Sequence, residues 1–460
     1  MPASGRLLEI RPFPWRRPRR ELLLVILVAL AALPVVQPPN TQDVSRLCLS
    51  RALVAGRVYA DRCLRVGETE DIAAHGGHLF TNKAPGMSVA ELAPMELVRL
   101  PPPGPGRWDS KGDLRLWLVH LLVSGVAFVC SLVLVGRIAE GLAPGWGGTS
   151  LVVFGLGTEM GALGITGFDH VLTGMLSLFA LLLASRRRPA LAGLVAGAAL
   201  TTEYEAAAIV VVLLAYTALQ GRRALGLYAA GALPGIAVLG AYDWAAFGAP
   251  WRSSYRYLTG QLSGKQTSGL LGVNLPTRHG VDLVLFGERG LVIASPVLVM
   301  GAVGLVLVWR LGFRAEALVS GVIALVFLVA EFGYFDPYGG RSPGPRFFAA
   351  ALPFLALGLG PAFARFRAIT STLAVVSVVA SSALMLTWQQ AVHYRETVWG
   401  EMFRVLGQGG SARLMQELPR NALTWDSTRF AGVGVTILAT AGAAVASWSR
   451  GGRSGSPASG

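Results

Sequence analysis

The sequence predicts an all-α polytopic membrane protein with about twelve transmembrane helices and a long first extracytoplasmic loop carrying amphipathic surface helices. Three observations carry that reading. Hydrophobic residues make up 53% of the chain and charged residues only 14%, where a soluble domain has about a quarter charged. Apolar runs long enough to cross a hydrocarbon core of roughly 30 Å recur from one end to the other. The gaps between those runs alternate between arginine-rich and acidic, as the positive-inside rule requires of a chain that crosses and recrosses a bilayer.

The net charge of +14 rests on 37 Arg and 3 Lys. In a soluble protein such a balance points to nucleic acid. Here the arginines cluster in short gaps between apolar runs, so no nucleic-acid partner is expected and the partner is the lipid bilayer. The preference for Arg over Lys, with abundant Ala and Gly, fits a GC-rich bacterial genome and places the chain in a bacterial inner (plasma) membrane.

Residues 1–20 form a basic cytoplasmic N-terminus with six Arg. An apolar run over 21–37 follows and reads as an uncleaved first span. It opens the transmembrane domain, 21–448. The first extracytoplasmic loop, 38–112, holds two amphipathic segments, 44–55 and 87–98, expected to lie along the membrane surface, and ends in the Pro-rich run at 100–106. Eleven further spans are expected at about 114–136, 147–164, 168–184, 190–202, 204–219, 224–246, 289–309, 315–332, 346–364, 368–387 and 430–448. Residues 449–460 form a Gly/Ser-rich flexible cytoplasmic tail.

This count puts both termini in the cytoplasm. Every inner gap is then basic: Arg137, Arg186 to Arg188, Arg222 and Arg223, Arg310 and Arg314, Arg365 and Arg367, Arg450 and Arg453. The outer gaps hold Lys83, Lys111 and Lys265 and most of the carboxylates. Cys130 falls inside a span. Cys48 and Cys63 share the first loop, where they would pair in an oxidising compartment or sit as two small apolar residues.

Ionisable residues converge on the outer face, where each costs a few kcal/mol unless paired or solvated. The stretch 71–94 holds Asp71, His75, His78, Asn82 and Lys83. Asp43 lies just beyond the first span, placed either to accept a proton from an acceptor hydroxyl or to cap the following helix. Glu159, Asp169 and His170 stand near span ends, and Glu203, Tyr204 and Glu205 at a break between two short spans. Asp243, Tyr255 and Arg256 flank the long outer loop. In the segment 335–348, Pro345 is placed to open a helix. Arg341 and Arg346 beside that helix start suit a phosphate oxyanion, or Arg346 snorkels or pairs with Asp336. His75 and His78 lack a third ligand, so no metal site is expected there. No P-loop, dinucleotide fingerprint or Ser–His–Asp pattern is present.

Several stretches together resemble a known family. They are GHLFTNKAPGMSVAELAP in the first loop, DHVLTG opening a span, LAGLVAGAALTTEYEAA, FGAPWRSSY, GERGLVIASP and YGGRSPGPRFFAAALPFLALGL. This pattern resembles the GT-C class of multi-span glycosyltransferases, near protein O-mannosyltransferases and lipid-A aminoarabinose transferase, over most of residues 20–390. The resemblance implies a polyprenyl-phosphate-linked sugar as donor. It implies inverting transfer to a glycan, lipid or protein acceptor on the extracytoplasmic face, with a first-loop Asp as general base: Asp43, with Asp71 as the alternative. Lys83, Arg341 and Arg346 would hold the donor phosphate. His78, Asn82, Asp169, His170, Glu203, Tyr204 and Tyr255 would contact substrate. No cofactor is required by the pattern, and a divalent metal is left open, because the family often carries adjacent acidic residues where this chain has Gln42 beside Asp43. The alternatives are a transporter or flippase of lipid-linked sugars, with polar groups near the midplane, and a structural partner in an envelope-assembly complex.

Overall fold

The computed structural model describes residues 18–391 apart from 36–38, 66–68 and 102–113, together with 399, 400 and 442. Apart from residue 442, the expected span at 430–448 and the tail lie outside the described residues.

The chain begins with α1, Pro18–Ala32, and the first loop folds as its own layer. Its α2, Thr41–Val54, starts in a capping box. The Asn40 side chain accepts from the backbone N–H groups of Gln42 and Asp43, and the Asp43 carboxylate accepts from Asn40 N at 2.8 Å. This reciprocal arrangement satisfies donors that a helix start otherwise leaves unpaired. Next come β1, Ile72–His75, and β2, His78–Thr81, an antiparallel hairpin. Gly76 and Gly77 at its tip both have positive φ, 57° and 82°, the backbone demanded by the tight turn that matches strand twist. The all-α expectation therefore gains one small hairpin. The helix α3, Gly86–Leu97, closes the loop.

Contrary to expectation, α2 does not lie on a surface. Asp43, Arg46, Leu47, Cys48, Leu49 and Ser50 are all buried. The polar residues that give it an amphipathic pattern point to protein partners: Arg51 donates to Leu100 O, and Ser50 Oγ donates to Ser88 O at 2.9 Å. A disulfide joins Cys48 to Cys63, with Cα atoms 5.4 Å apart, and ties α2 to the segment ahead of the hairpin.

The helical array follows. It comprises α4 (Leu114–Leu142), α5 (Gly147–Leu156), α6 (Met160–Leu163), α7 (His170–Ser185), α8 (Pro189–Thr202), α9 (Ala206–Ala218) and α10 (Arg222–Phe247). After the outer loop come α11 (Arg278–Phe286), α12 (Leu291–Ala294), α13 (Val297–Arg310) and α14 (Arg314–Gly333). A 3₁₀ turn at Arg346–Ala351 leads into α15 (Leu352–Ala356), α16 (Leu359–Arg365) and α17 (Arg367–Ala391). One apolar core runs through the array, from Val28 of α1 to Phe363 of α16.

Among the described residues, four helices are long and apolar enough to cross a membrane, or six if each bent pair is one span. Twelve full spans are therefore not established. Several expected spans are broken near one end. The run at 147–164 parts at Gly157–Glu159, and 289–309 bends by 82° at Ser295–Pro296. At 1.5 Å per residue the 16-residue α7 reaches only about 24 Å. Such interruptions need protein or a wet cavity around the freed backbone groups. The tightest helix pair is α8 with α10. A Cβ on Gly235 would lie 2.2 Å from Gly197 O, so only small residues allow the backbones this close.

Candidate functional site

Four chain segments bring the polar residues together: α2, the turn after β2, the loop ahead of α7, and the break between α8 and α9. Arg46 projects from α2 and is fully buried. It forms an ion pair with Asp169, Nη2 to Oδ2 at 2.7 Å, and donates to Gly167 O. His170 Nδ1 lies 2.8 Å from Glu203 Oε1 and 3.5 Å from Asp169 Oδ1. The line Arg46–Asp169–His170–Glu203 thus links the first loop to the α8–α9 break. A buried charge is retained when a partner and hydrogen bonds replace its water, and Arg46 and Asp169 supply each other.

The turn Asn82 to Gly86 is set against α8 by Gly86. A Cβ there would lie 2.5 Å from the backbone of Thr201, so glycine alone lets the turn seat beside Glu203. That seat positions Lys83, whose Nζ donates to Asp71 Oδ1 at 3.1 Å. Asn82 Nδ2 donates to the same oxygen at 3.1 Å, and Thr41 Oγ1 donates to Asp71 Oδ2 at 2.6 Å. Burial works to raise the Asp71 pKa. Lys83, the Thr41 hydroxyl and the charge of Arg346 outweigh it, and hold the carboxyl down at about 2.

Arg46, Lys83, Asp169, His170 and Glu203 line a small cavity together with Gln42, Ala84, Tyr204, Glu205, Tyr255 and Phe347. Tyr255 Oη donates to Glu205 Oε1 at 3.3 Å, and Tyr204 Oη to Asp243 Oδ1 at 3.2 Å. Arg346 is 8% exposed. Its guanidinium stands over the rings of Phe168 and Phe347, 4.5 and 5.1 Å from their centroids. Phe347 lines the cavity, so the arginine of the 335–348 segment stands at its edge. The segment enters through a 3₁₀ turn, with Pro345 immediately before it.

Not every residue singled out from the sequence lines this cavity. Asp43 lies beneath it, 1% exposed, within its capping box and 3.4 Å from His120 Nε2. Arg341 is exposed and does not line this cavity. His78 is on the exposed tip of the hairpin, 2.6 Å from Asp61 Oδ2 and stacked on Tyr59 at 4.1 Å. Asn82 acts through Asp71, while Lys83, Asp169, His170, Glu203, Tyr204 and Tyr255 do line the cavity. Sequence reasoning missed Arg46 as a site residue. Its signal was an arginine one helical turn after Asp43, on the face that also carries Leu47, Leu49 and Ser50.

Asp169, His170 and Glu203 each offer one ligand atom, all within 4.8 Å of one another. Asp169 Oδ1, Glu203 Oε2 and His170 Nε2 have no hydrogen-bond partner among the described residues. Two carboxylates and an imidazole with unfilled positions fit a divalent cation, although Arg46 already neutralises the second oxygen of Asp169.

No protein-family model matches the sequence, and no curated protein matches it. Solved structures do. The apo oligosaccharyltransferase of Archaeoglobus fulgidus is similar with a TM-score of 0.50 and 11% identity, over 93% of this chain and 64% of that one. The same enzyme, tethered to an acceptor peptide containing an NVT sequon, aligns with a TM-score of 0.50 and 13% identity, over 82% of this chain and 56% of that one. ArnT from Cupriavidus metallidurans bound to undecaprenyl phosphate gives 0.49 and 14%, over 93% and 76%. The chain thus spans 64% or less of the length of the oligosaccharyltransferase. The likeness shows the fold: the chain shares the helical architecture of the Archaeoglobus fulgidus oligosaccharyltransferase.

Proposed function

We propose that this chain is a membrane glycosyltransferase that moves a sugar from a polyprenyl-phosphate-linked donor to an acceptor on the extracytoplasmic face. One observation carries the reading. Lys83, 3.1 Å from the buried Asp71, and Arg346, stacked over Phe347, come from chain segments more than 250 residues apart to one cavity that Lys83, Phe347, Asp169, His170 and Glu203 line. Two cations at one end of an apolar helical array suit a phosphate whose lipid tail stays in the bilayer.

The reaction this supports is a single inverting displacement. The acceptor hydroxyl oxygen bonds to the anomeric carbon as that carbon's bond to the phosphate oxygen breaks. The phosphate leaves with the electron pair, and the hydroxyl proton passes to a carboxylate. Lys83 and Arg346 neutralise charge as it develops on the leaving group, where preorganised donors act most strongly. The proton acceptor is assigned to the Asp169–Glu203 pair, because Asp169 Oδ1 and Glu203 Oε2 have no hydrogen-bond partner among the described residues. Asp71, held at about 2 by Lys83, the Thr41 hydroxyl and the charge of Arg346, is a weak base and positions Lys83 instead. Asp43 holds the start of α2. A divalent ion bound at Asp169, His170 and Glu203 would supply further positive charge for the leaving phosphate.

The test uses purified protein in nanodiscs. Undecaprenyl phosphate should raise its melting temperature, and Arg346→Gln should weaken that binding about tenfold or more, the range for a lost charge-assisted contact. A panel of undecaprenyl-phosphate sugars should then yield labelled product with membrane extract as acceptor, and Asp169→Asn should not. If undecaprenyl phosphate neither stabilises nor binds the wild-type protein, the assignment fails. Movement of lipid-linked sugar across the bilayer without product would favour the flippase.

A further inference from the structure

The helix α4 leaves α geometry for one turn. Over Leu121–Gly125 it is π-helical, and Val126 N donates to Leu121 O, five residues back. Such turns are rare and recur at functional sites. Two polar residues stand here, His120 just ahead of the turn and Ser124 within it, and both are buried. A serine inside a helix can return its hydroxyl to the carbonyl four residues back, as Ser131 does to Ala127 O at 2.9 Å. Ser124 instead donates out of its helix, to Thr166 O at 2.7 Å.

Thr166 belongs to the turn over 165–168 that delivers Asp169 and His170 to the site. The next carbonyl, Gly167 O, accepts from Arg46. Beneath Gly167 lie Asp43 and His120, with Oδ1 and Nε2 3.4 Å apart. A Cβ on Gly167 would run into Asp43 Oδ1 and lie 2.9 Å from His120 Nε2, so the bare backbone rests on that pair. The turn is thus held from α2 by Arg46 and from α4 by Ser124. Asp169 follows two residues after Gly167, whereas Glu203 comes from the α8–α9 break. The distance between the two carboxylates is set by what each segment is anchored to.

We propose that Ser124 is a positioning residue of the transfer reaction: by holding Thr166 O it sets the Asp169 carboxylate where, with Glu203, it takes the acceptor's proton. This rests on the glycosyltransferase reading and on its assignment of the Asp169–Glu203 pair. Ser124 does not line the cavity, so its effect falls on the chemical step, where a displacement of about 1 Å can cost a hundredfold.

The test uses full-length protein in nanodiscs, with the undecaprenyl-phosphate sugar and membrane extract that give product with the parent. Ser124→Ala should lower kcat about tenfold or more. Its KM for the donor and its affinity for undecaprenyl phosphate should stay within about twofold of the parent's, the pattern of an interaction that matters only in the transition state. Ser124→Thr keeps the hydroxyl and should recover most of the rate. Gly167→Ala lifts the turn from its seat on Asp43 and His120 and should give the same split as Ser124→Ala. Hydrogen exchange read by mass spectrometry needs no activity. Peptides over 163–172 should exchange about tenfold faster in Ser124→Ala, as for one lost buried hydrogen bond, and peptides over 41–54 at the parent's rate.

A joint fall of kcat, undecaprenyl phosphate affinity and melting temperature would make Ser124 structural only and overturn the inference. So would a parent-like kcat in Ser124→Ala, unchanged exchange over 163–172, or a threonine variant no faster than the alanine one. The glycosyltransferase reading is judged on the parent protein. A parent that neither makes product nor binds undecaprenyl phosphate sinks both, whereas an active parent with an equally active Ser124→Ala sinks the positioning role alone.

Discussion

At the scale of single residues, the site depends on how its buried charges are paired. Lys83 and Asp71 are both nearly inaccessible and 3.1 Å apart. Removing one partner strands the other, which for buried pairs costs about 3–5 kcal/mol. Lys83→Met alone should therefore lower the melting temperature markedly, whereas Lys83→Met with Asp71→Asn should regain most of the stability and none of the phosphate binding. Thermal denaturation with and without undecaprenyl phosphate separates these outcomes. If the single and double variants melt alike, the ion pair is not the structural link assigned to it. Glu91, on α3 in the first loop, behaves in the opposite sense. Burial raises its pKa to about 8, with His120 and Arg46 opposing, and both of its oxygens are unpartnered. Between an unfolded value of about 4.3 and about 8, the folded state holds a proton that the unfolded chain releases, so stability contributed by this group falls as pH rises. Glu91→Gln should melt like the parent at pH 4 and above it by pH 8 to 9. A difference that does not change with pH would remove Glu91 as the cause.

At the scale of elements, the first loop decides whether the site exists, and α2 is its keystone. The helix is pinned by its capping box, by Arg46 on Asp169, and by the disulfide to Cys63. Closing a loop of 15 residues is worth about 3 kcal/mol in the chain-entropy account. Cys48→Ser with Cys63→Ser, or reduction by dithiothreitol, should lower the melting temperature and loosen undecaprenyl phosphate binding together, since Thr41 and Arg46 ride on the same helix. Unchanged binding after reduction would mean that α2 holds its place without the bond. The existence of α2 and α3 was legible in the sequence from apolar spacing, to within three residues at α2 and one at α3. Their burial was not legible, because Arg46 and Arg51 look the same on a solvated face as when each is aimed at an acidic or carbonyl partner far along the chain. The hairpin between them was hidden for a different reason. Its strands are four residues each, and its one local signal is the Gly76-Gly77 pair between two histidines.

At the scale of the whole molecule, hydropathy and charge alternation read the order of the helices well and their lengths poorly. Composition cannot register a break such as Gly157–Glu159 or Ser295–Pro296, since the residues on either side stay apolar. Glu159 and Ser295, at these two breaks, line one small cavity with Pro343 and Gly344, as expected where interrupted helices lie against protein or a wet space. The same reasoning explains why Lys83, Asp169, His170 and Glu203 could be singled out from sequence while Arg46 could not: the first four are costly residues at apolar boundaries, and the last is hidden inside an ordinary amphipathic repeat. Sidedness follows from the charge pattern and is open to direct measurement. The gap holding Arg186 to Arg188 and that holding Arg222 and Arg223 should face the cytoplasm, and the loop holding Lys265 the opposite side. In sealed right-side-out vesicles carrying Cys130→Ala, a cysteine replacing Ser263 should react with a membrane-impermeant maleimide at once, and one replacing Gln220 only after permeabilisation. Reversal of those two results would place the candidate site on the cytoplasmic face, away from any extracytoplasmic acceptor. Equal labelling of both in sealed vesicles would mean that an odd number of crossings does not separate them, and the alternation of basic and acidic gaps would then need another cause.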